Sequence, residues 1–508
     1  MILDHAAARP DELAVDDLAR TRTWAQLIDR AHRLGHLLRD EHGVGPGDHV
    51  SMLMGNRVEF PELVLASVLT GIWITPINWH LTADEVAYIL DDSGAKVLVT
   101  DPAFEATARA AVTRAAAHPP MHVAGDDLDR AVADASDAPF ALDGPAGGTM
   151  MYTSGTTGRP KGVKRPRASG VEATLRSLGD GPTPLGLEGS GPHLVTGPLY
   201  HSAPGGFAQI DLHHGAPLVL MSRWDEEATL RLIDDRGVVT THLVPTMFVR
   251  LLRLPDDVRA SFDGSSLRTV IHGAAPVAPQ VKARMIEWWG PVLLEYWGST
   301  EGGVFTLVGS QDWLDHPGTV GRALPSYEVF AVDEDGTRLP PGEVGTLYTR
   351  NLLTTEVFEY HNAPEKTAGA HLAPGTFTLG DVGRVDDDGF VHLSDRSANM
   401  IISGGVNIYP AEIEAVLHDH PAIADVAVFG IPDDEWGEQV KAAVQLREGV
   451  APSEQLADDI MAFARERLAG YKVPRSIDWQ TELPRHPTGK LYTRLLRDPY
   501  WTDRSTAI

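Results

Sequence analysis

The 508-residue sequence contains no cysteine. That absence removes disulfides, thiolate zinc sites, Fe–S clusters and a cysteine nucleophile together. Long apolar runs are missing too. The longest uncharged stretch, Leu63 to Trp79, is broken by Gly71 and Pro76 and falls short of the ~20 apolar residues of a membrane span. Positive charge is scarce: 43 Lys and Arg face 70 Asp and Glu, for a formal net charge of -27. Broad nucleic-acid binding is therefore not expected, because nothing offsets repulsion from phosphates; a local anion pocket remains open. The N-terminus, Met1-Ile2-Leu3-Asp4-His5, carries an acid where a signal peptide needs positive charge. The C-terminus, Ser505-Thr506-Ala507-Ile508, is not a peroxisomal address. A cytoplasmic protein is expected.

What is present belongs to an ordinary globular chain, with 43% hydrophobic and 22% charged residues. At roughly 100–200 residues per domain, its length implies at least two. Up to about residue 395, helical spacing alternates with short apolar runs. Ala25 to Arg39, Phe60 to Thr70 and Thr82 to Leu90 read as helices, the last opened by Thr82 with Glu85 three residues on. Val97-Leu98-Val99, Val238 to Val244, Thr269-Val270-Ile271 and Val292-Leu293-Leu294 read as strands buried on both faces. That alternation predicts βαβ units and largely parallel sheets, an α/β fold. After Asp395 the texture shifts to a smaller α+β unit, with a helix from Pro410 to His418 and another from Glu454 to Leu468.

The strongest local signal is Tyr152-Thr153-Ser154-Gly155-Thr156-Thr157-Gly158-Arg159-Pro160-Lys161-Gly162, directly after a predicted strand. Its glycines free backbone N–H groups to converge on an anion, and its hydroxyls and lysine add donors and charge. No Gly-Lys-Ser/Thr follows at Walker spacing. Further segments are Tyr200-His201-Ser202, His272-Gly273-Ala274-Ala275-Pro276, Tyr296-Trp297-Gly298-Ser299-Thr300-Glu301, Gly380-Asp381, Asp395-Arg396 and Pro487-Thr488-Gly489-Lys490. An aromatic there offers a stacking face for a base, a threonine a hydroxyl for a phosphate, and a glutamate a hard oxygen ligand for magnesium. His32 and His36, four residues apart, lack a third metal ligand nearby and are expected to face solvent; His213-His214 reads as a strand end. No Gly-x-Ser-x-Gly, HExxH or Gly-x-Gly-x-x-Gly occurs, which sets aside serine hydrolase, zinc protease and Rossmann dehydrogenase.

Together these segments resemble, over essentially the whole chain, the adenylate-forming superfamily of acyl-CoA synthetases, peptide-synthetase adenylation domains and beetle luciferases. The resemblance implies a large N-terminal nucleotide- and acyl-binding domain with a β-subdomain over 1–395, a hinge at 396–398 and a small mobile C-terminal lid over 399–508. It implies ATP, Mg²⁺ and coenzyme A as cofactors, with AMP as product. It assigns Thr153, Ser154, Gly155, Thr156, Thr157 and Lys161 to the phosphates. Gly273, Ala274, Ala275, Tyr296, Trp297, Gly298 and Ser299 fall along adenine, and Asp381 and Arg396 on the ribose. Thr300 would meet the α-phosphate, Glu301 the magnesium, His201 the acyl group and phosphate, and Lys490 the reacting carboxylate. Gly205, Gly206, Gly302 and Gly303 would flank the acyl pocket. Ser403, Gly404 and Gly405 would pass the thiol arm after rotation about Ala398, with Tyr471 and Lys472 in a further matching segment.

The implied reaction is attack of a carboxylate on the α-phosphate of ATP, then displacement of AMP by a thiol. Its main cost is bringing two anions together, which preorganised positive charge offsets. Amino-acid activators carry an aspartate just after the position of His201; here Ser202, Ala203 and Pro204 follow, so an amine-free acid is expected. No carrier domain follows, so coenzyme A is the expected acceptor, with a homodimer left open. A long, aryl or polycyclic acid is expected, because the flanking segments supply volume and no polar partner for a distal group. Two departures, Ala398 for a charged hinge residue and Leu379 for a threonine before Gly380-Asp381, predict unbalanced half-reactions with thioester formation the stronger. Their extreme is an enzyme fed preformed acyl-adenylate. An inactive nucleotide-binding relative is the other alternative, but Lys490, Glu301 and Thr300 are intact.

Overall fold

The computed structural model describes residues 1–153, 160–166, 170–181, 183–274, 277, 279–333, 335–396, 401–408, 410–484 and 493–501. Two largely parallel sheets form its centre. The larger has nine strands, in the order Arg322–Ala323, Gly303–Gly309, Leu293–Ser299, Thr269–His272, Thr240–Leu243, His193–Val195, Leu218–Leu220, Leu13–Asp16 and Thr21–Thr23. From Leu293–Ser299 to Leu13–Asp16 neighbours run parallel; the outer strands turn antiparallel. The second, all parallel, runs Met121–Val123, Ala95–Thr100, His49–Leu53, Trp73–Pro76, Gly148–Thr149. All residues of His49–Leu53, Leu218–Leu220 and Thr240–Leu243 are buried, as a sheet covered by helices on both faces requires.

Between the sheets lies an apolar core from Val50, Met52, Leu63, Leu65 and Val68 to Leu199, Leu212 and Leu218. The helix Glu59–Thr70 is buried almost all round and ends on Gly71 at φ 78°, where a left-handed residue closes the last turn at no side-chain cost. The Thr82 capping box holds as the spacing predicts: Thr82 N donates to Glu85 Oε2 at 2.8 Å while Oγ1 accepts from Glu85 N at 3.4 Å.

A six-stranded sheet follows over 327–396, and a three-stranded one joins Met151–Thr153, Lys161–Lys164 and Glu359–Tyr360. After 400 the strands Ile401–Ser403, Val406–Ile408, Ile423–Asp433, Gly437–Leu446 and Ser476–Gln480 make their own sheet, packed on the helices Pro410–His418 and Glu454–Arg465. The fold is thus α/β with a β-subdomain and a small α+β C-terminal part. Among the described residues no helix is long and apolar enough to cross a membrane.

Three sequence expectations are corrected. His32 and His36 are buried, not solvent-facing: His36 stacks on Phe140 at 4.5 Å and His32 lies 5.8 Å from the same ring. His213 and His214 end the helix Ser202–His214 rather than a strand. Tyr296 to Ser299 lie within the strand Leu293–Ser299, whose register shifts between Trp297 and Gly298. Periodicity could not show that a strand continues through a bulge.

Candidate active site

The parallel strands of the larger sheet deliver their C-terminal ends to one cavity of 1730 Å³. Loops diverge at such ends, which is where α/β sheets bind ligands. A site for one drug-sized molecule occupies roughly 300–1,000 Å³, so this cavity has room for several reactants. Its walls carry Thr196–Pro198, Met221–Arg223, His242, Ala274, Tyr296 and Gly298 to Glu301.

Asn56 ties two of these loops together. Its Nδ2 donates to the carbonyls of Gly197 and Met221, both at 2.9 Å, and its Oδ1 accepts from Leu199 N at 2.9 Å. Sequence reasoning missed it, because a lone asparagine after a glycine reads as a turn. Two residues beyond Leu199, His201 precedes the helix Ser202–His214 with its ring 4.4 Å from Tyr200. Burial first, then His80, lowers its pKa to about 4, so the ring is neutral at pH 7.

Glu301 lies on the cavity wall 9% exposed, and Tyr360 Oη donates to its Oε1 at 3.0 Å. Lys161 Nζ stands 5.0 Å from the Tyr360 ring centre, and burial with Lys366 nearby lowers its pKa. Arg165 also opens on the cavity, against Gly303, with no ion pair among the described residues; burial lowers its pKa as well. Tyr152 Oη donates to Asp92 Oδ2 at 2.6 Å, and Tyr88 Oη donates to the Pro160 carbonyl at 3.2 Å. One carboxylate beside clustered cations suits a polyphosphate. Among the described residues no group of three His, Asp or Glu could hold a metal. Glu301 therefore fits magnesium only as Mg²⁺ commonly binds, with one or two carboxylates plus substrate phosphates.

Trp297 and Asp381 do not line the cavity. The indole Nε1 donates to Asp381 Oδ2 at 2.9 Å, and both side chains are buried, the Trp297 ring 5.1 Å from that of Phe305. Gly205, Gly273 and Gly302 are likewise off the wall: a Cβ would meet the Leu199 carbonyl at 2.4 Å, the Tyr296 carbonyl at 2.5 Å and the Phe305 ring at 2.4 Å. Gly206, Gly303, Thr153, Lys161, Ala274, Tyr296, Gly298, Ser299 and Thr300 are on it. Ala274 sits at φ 67°, a strained conformation for a residue with a Cβ and one that clusters at functional sites.

The C-terminal part closes the far side. Ser403, Gly404 and Gly405 line the cavity, and a Cβ on Gly405, at φ 77°, would stand 3.4 Å from Val244. Lys472 is buried at the seam, its Nζ 3.0 Å from Glu85 Oε1 and 2.6 Å from Glu412 Oε1. Tyr471 Oη accepts from Asn78 Nδ2 at 3.0 Å. Arg223, Trp224, Trp436 and Arg465 also line the cavity, and neither of these arginines has an ion pair among the described residues. The sequence pointed to none of these four, since arginines in an acidic chain look like solvated surface. Ser154, Gly155, Thr156, Thr157, Ala275, Ala398 and Lys490 lie outside the described residues, as do the side chains of Asp395 and Arg396.

The deep wall is not wholly apolar. Leu185, Phe207, Ile210 and Val304 line it with His242 and Tyr296, and both polar residues come from strands.

The profile of the AMP-binding enzyme family matches residues 2–357, and that of the AMP-binding enzyme C-terminal domain matches residues 412–490. The chain is 35% identical over 490 residues to a feruloyl-CoA synthase of an Amycolatopsis species, covering 96% of this chain and 95% of that protein. It is 28% identical to Bacillus subtilis o-succinylbenzoate CoA synthetase in two solved states. A double mutant bound to the product analogue OSB-NCoA superposes with a TM-score of 0.81, covering 98% of each chain. The complex with the acyl-adenylate OSB-AMP gives 0.65, covering 98% of this chain and 97% of that one.

Proposed function

Because this chain belongs to the family of AMP-binding enzymes, we propose that it is an acid–thiol ligase that converts an amine-free carboxylic acid to its coenzyme A thioester through an acyl-adenylate. The observation that carries this reading is one cavity walled by Thr300, Glu301 and Lys161 on one side and by Ser403 to Gly405 on the other. In the first step the acid's carboxylate oxygen bonds to the α-phosphorus of ATP and the bond to pyrophosphate breaks. Lys161, Arg165 and the segment 154–159 supply cations and amides to the phosphates, and Lys490 meets the incoming carboxylate. Magnesium, held at Glu301, would neutralise phosphate charge.

In the second step the thiol sulfur bonds to the acyl carbon, AMP departs, and the thiol proton passes to solvent. Gly404 and Gly405 leave a passage for a thin arm, and Arg223, Arg465, Trp224 and Trp436 suit a phosphate-bearing nucleotide. The nearer likeness to the product-analogue complex than to the acyl-adenylate complex supports reading this arrangement as the thioester-forming one. The hinge at 396–398 would then separate 1–395 from 399–508.

The test is Lys490→Ala, assayed in both half-reactions. It should cut acyl-adenylate formation by several orders of magnitude, about 10² to 10⁴ at least, while sparing thioester formation from supplied acyl-adenylate. Equal loss in both would contradict the division of labour.

A further inference from the structure

The geometry points to His242 and Tyr296 as a hydrogen-bonding station for an uncharged oxygen on the acyl group, a hydroxyl or ketone carried by a ring distal to the reacting carboxylate. The inference rests on the acid–thiol ligase reading, since it names the kind of acid that site would take.

His242 is the third residue of the strand Thr240–Leu243, where its backbone is fixed on both sides by parallel ladders to Val195 and Ile271. Thr196 Oγ1 additionally donates to its carbonyl. The side chain is 3% exposed, Tyr296 is 6% exposed, and both line the cavity. Phe207 packs against the two of them, its ring 5.4 Å from His242 and 5.2 Å from Tyr296, the latter edge-on. Around them the wall is Leu185, Ile210 and Val304. These two therefore carry side-chain polar atoms in an aliphatic and aromatic surrounding.

Their mutual contact is weak. Tyr296 Oη and His242 Nε2 are 3.4 Å apart, at the long limit of a hydrogen bond, and His242 Nδ1 has no partner among the described residues. A polar atom that borders a cavity without a protein partner is open to a ligand, and a ligand oxygen would supply that partner here. Burial first, then His193 and His201, lowers the His242 pKa to about 3, so the ring is neutral and offers one N–H donor and one acceptor nitrogen. Burial raises the Tyr296 pKa, so the phenol keeps its proton. A neutral donor–acceptor pair matches a hydroxyl or carbonyl. It does not match a second carboxylate, which would be desolvated beside no cation. The surrounding rings favour a flat or cyclic carrier for that oxygen over an extended alkyl chain.

Discrimination follows from the penalty for leaving such groups unpaired: sites built to hydrogen-bond a substrate oxygen reject the analogue that lacks it. The experiment compares matched acids, 4-hydroxycinnamate with 4-methylcinnamate and 3-(4-oxocyclohexyl)propanoate with 3-(4-methylcyclohexyl)propanoate. For wild type, His242→Leu, His242→Phe and Tyr296→Phe, kcat/KM for thioester formation and Kd by calorimetry with AMP present are measured. Wild type should prefer at least one oxygenated member by about tenfold or more in both quantities, mostly through KM. Either His242 variant should abolish or invert that ratio, and Tyr296→Phe should shrink it. A ratio cancels general damage, and the second His242 variant covers misfolding of the first. Equal wild-type handling of both pairs, or a preference that survives His242 replacement, overturns the inference. A Kd preference with no acid turned over upholds the station and instead overturns the ligase reading.

Discussion

A buried asparagine in this protein does more to shape the site than several of its glycines. Asn56 bonds the loops carrying Gly197, Leu199 and Met221, so the wall leading to His201 depends on it. Asn56→Leu leaves two carbonyls and one N–H without their partner. That should cost about 2–4 kcal/mol, read as a lowered urea midpoint, and kcat/KM should fall with it. An unchanged midpoint would show that the loops hold themselves. Residue types with strong local signatures were legible in the sequence, and Thr300, Glu301 and Lys161 do line one cavity. Trp297, expected beside adenine, packs on Phe305 with its indole held by Asp381. The two were singled out 84 positions apart, and nothing in their separate segments indicates that one satisfies the other.

At the scale of elements, the seam between the C-terminal sheet and the rest rests on a glycine loop and a buried charge cluster. Gly405 sits at φ 77° beside Val244, a left-handed conformation that any residue with a side chain strains to adopt. Gly405→Leu should therefore depress thioester formation by about 10²-fold while ATP–pyrophosphate exchange stays within a few-fold; equal loss in both assays would deny the loop a step-specific role. Burial raises the Glu412 pKa from 4.5 to about 7, opposed by Lys472 and reinforced by Glu85. The folded protein thus binds a proton there that the unfolded chain has lost, so this contribution to stability falls as pH rises from about 4.5 to about 7 and then levels. Glu412→Gln should gain on wild type across that window in denaturation midpoints, and a flat difference curve would refute the assignment. Parallel strands were legible because burial on both faces writes continuous apolar runs. The seam was not, since Lys472 and Glu85 lie 387 residues apart and each alone reads as a solvated charge.

For the molecule as a whole, the proposed function has one chain perform two reactions in one cavity. Alternation of βαβ units and the order of motifs made the α/β fold and the nucleotide chemistry readable. The polar pair at His242 and Tyr296 was not, because it exists only where two strands on either side of Thr269–His272 turn side chains into one cavity. Ala398 and Leu379 predict thioester formation faster than adenylation. The most direct measurement is the product balance when ATP, coenzyme A and a panel of aryl, cyclic and long-chain acids are supplied together. Acyl-CoA, AMP and pyrophosphate should appear in equal amounts, dependent on all three substrates, with no ADP. ADP in place of AMP, or AMP released without thioester from every acid, would contradict it.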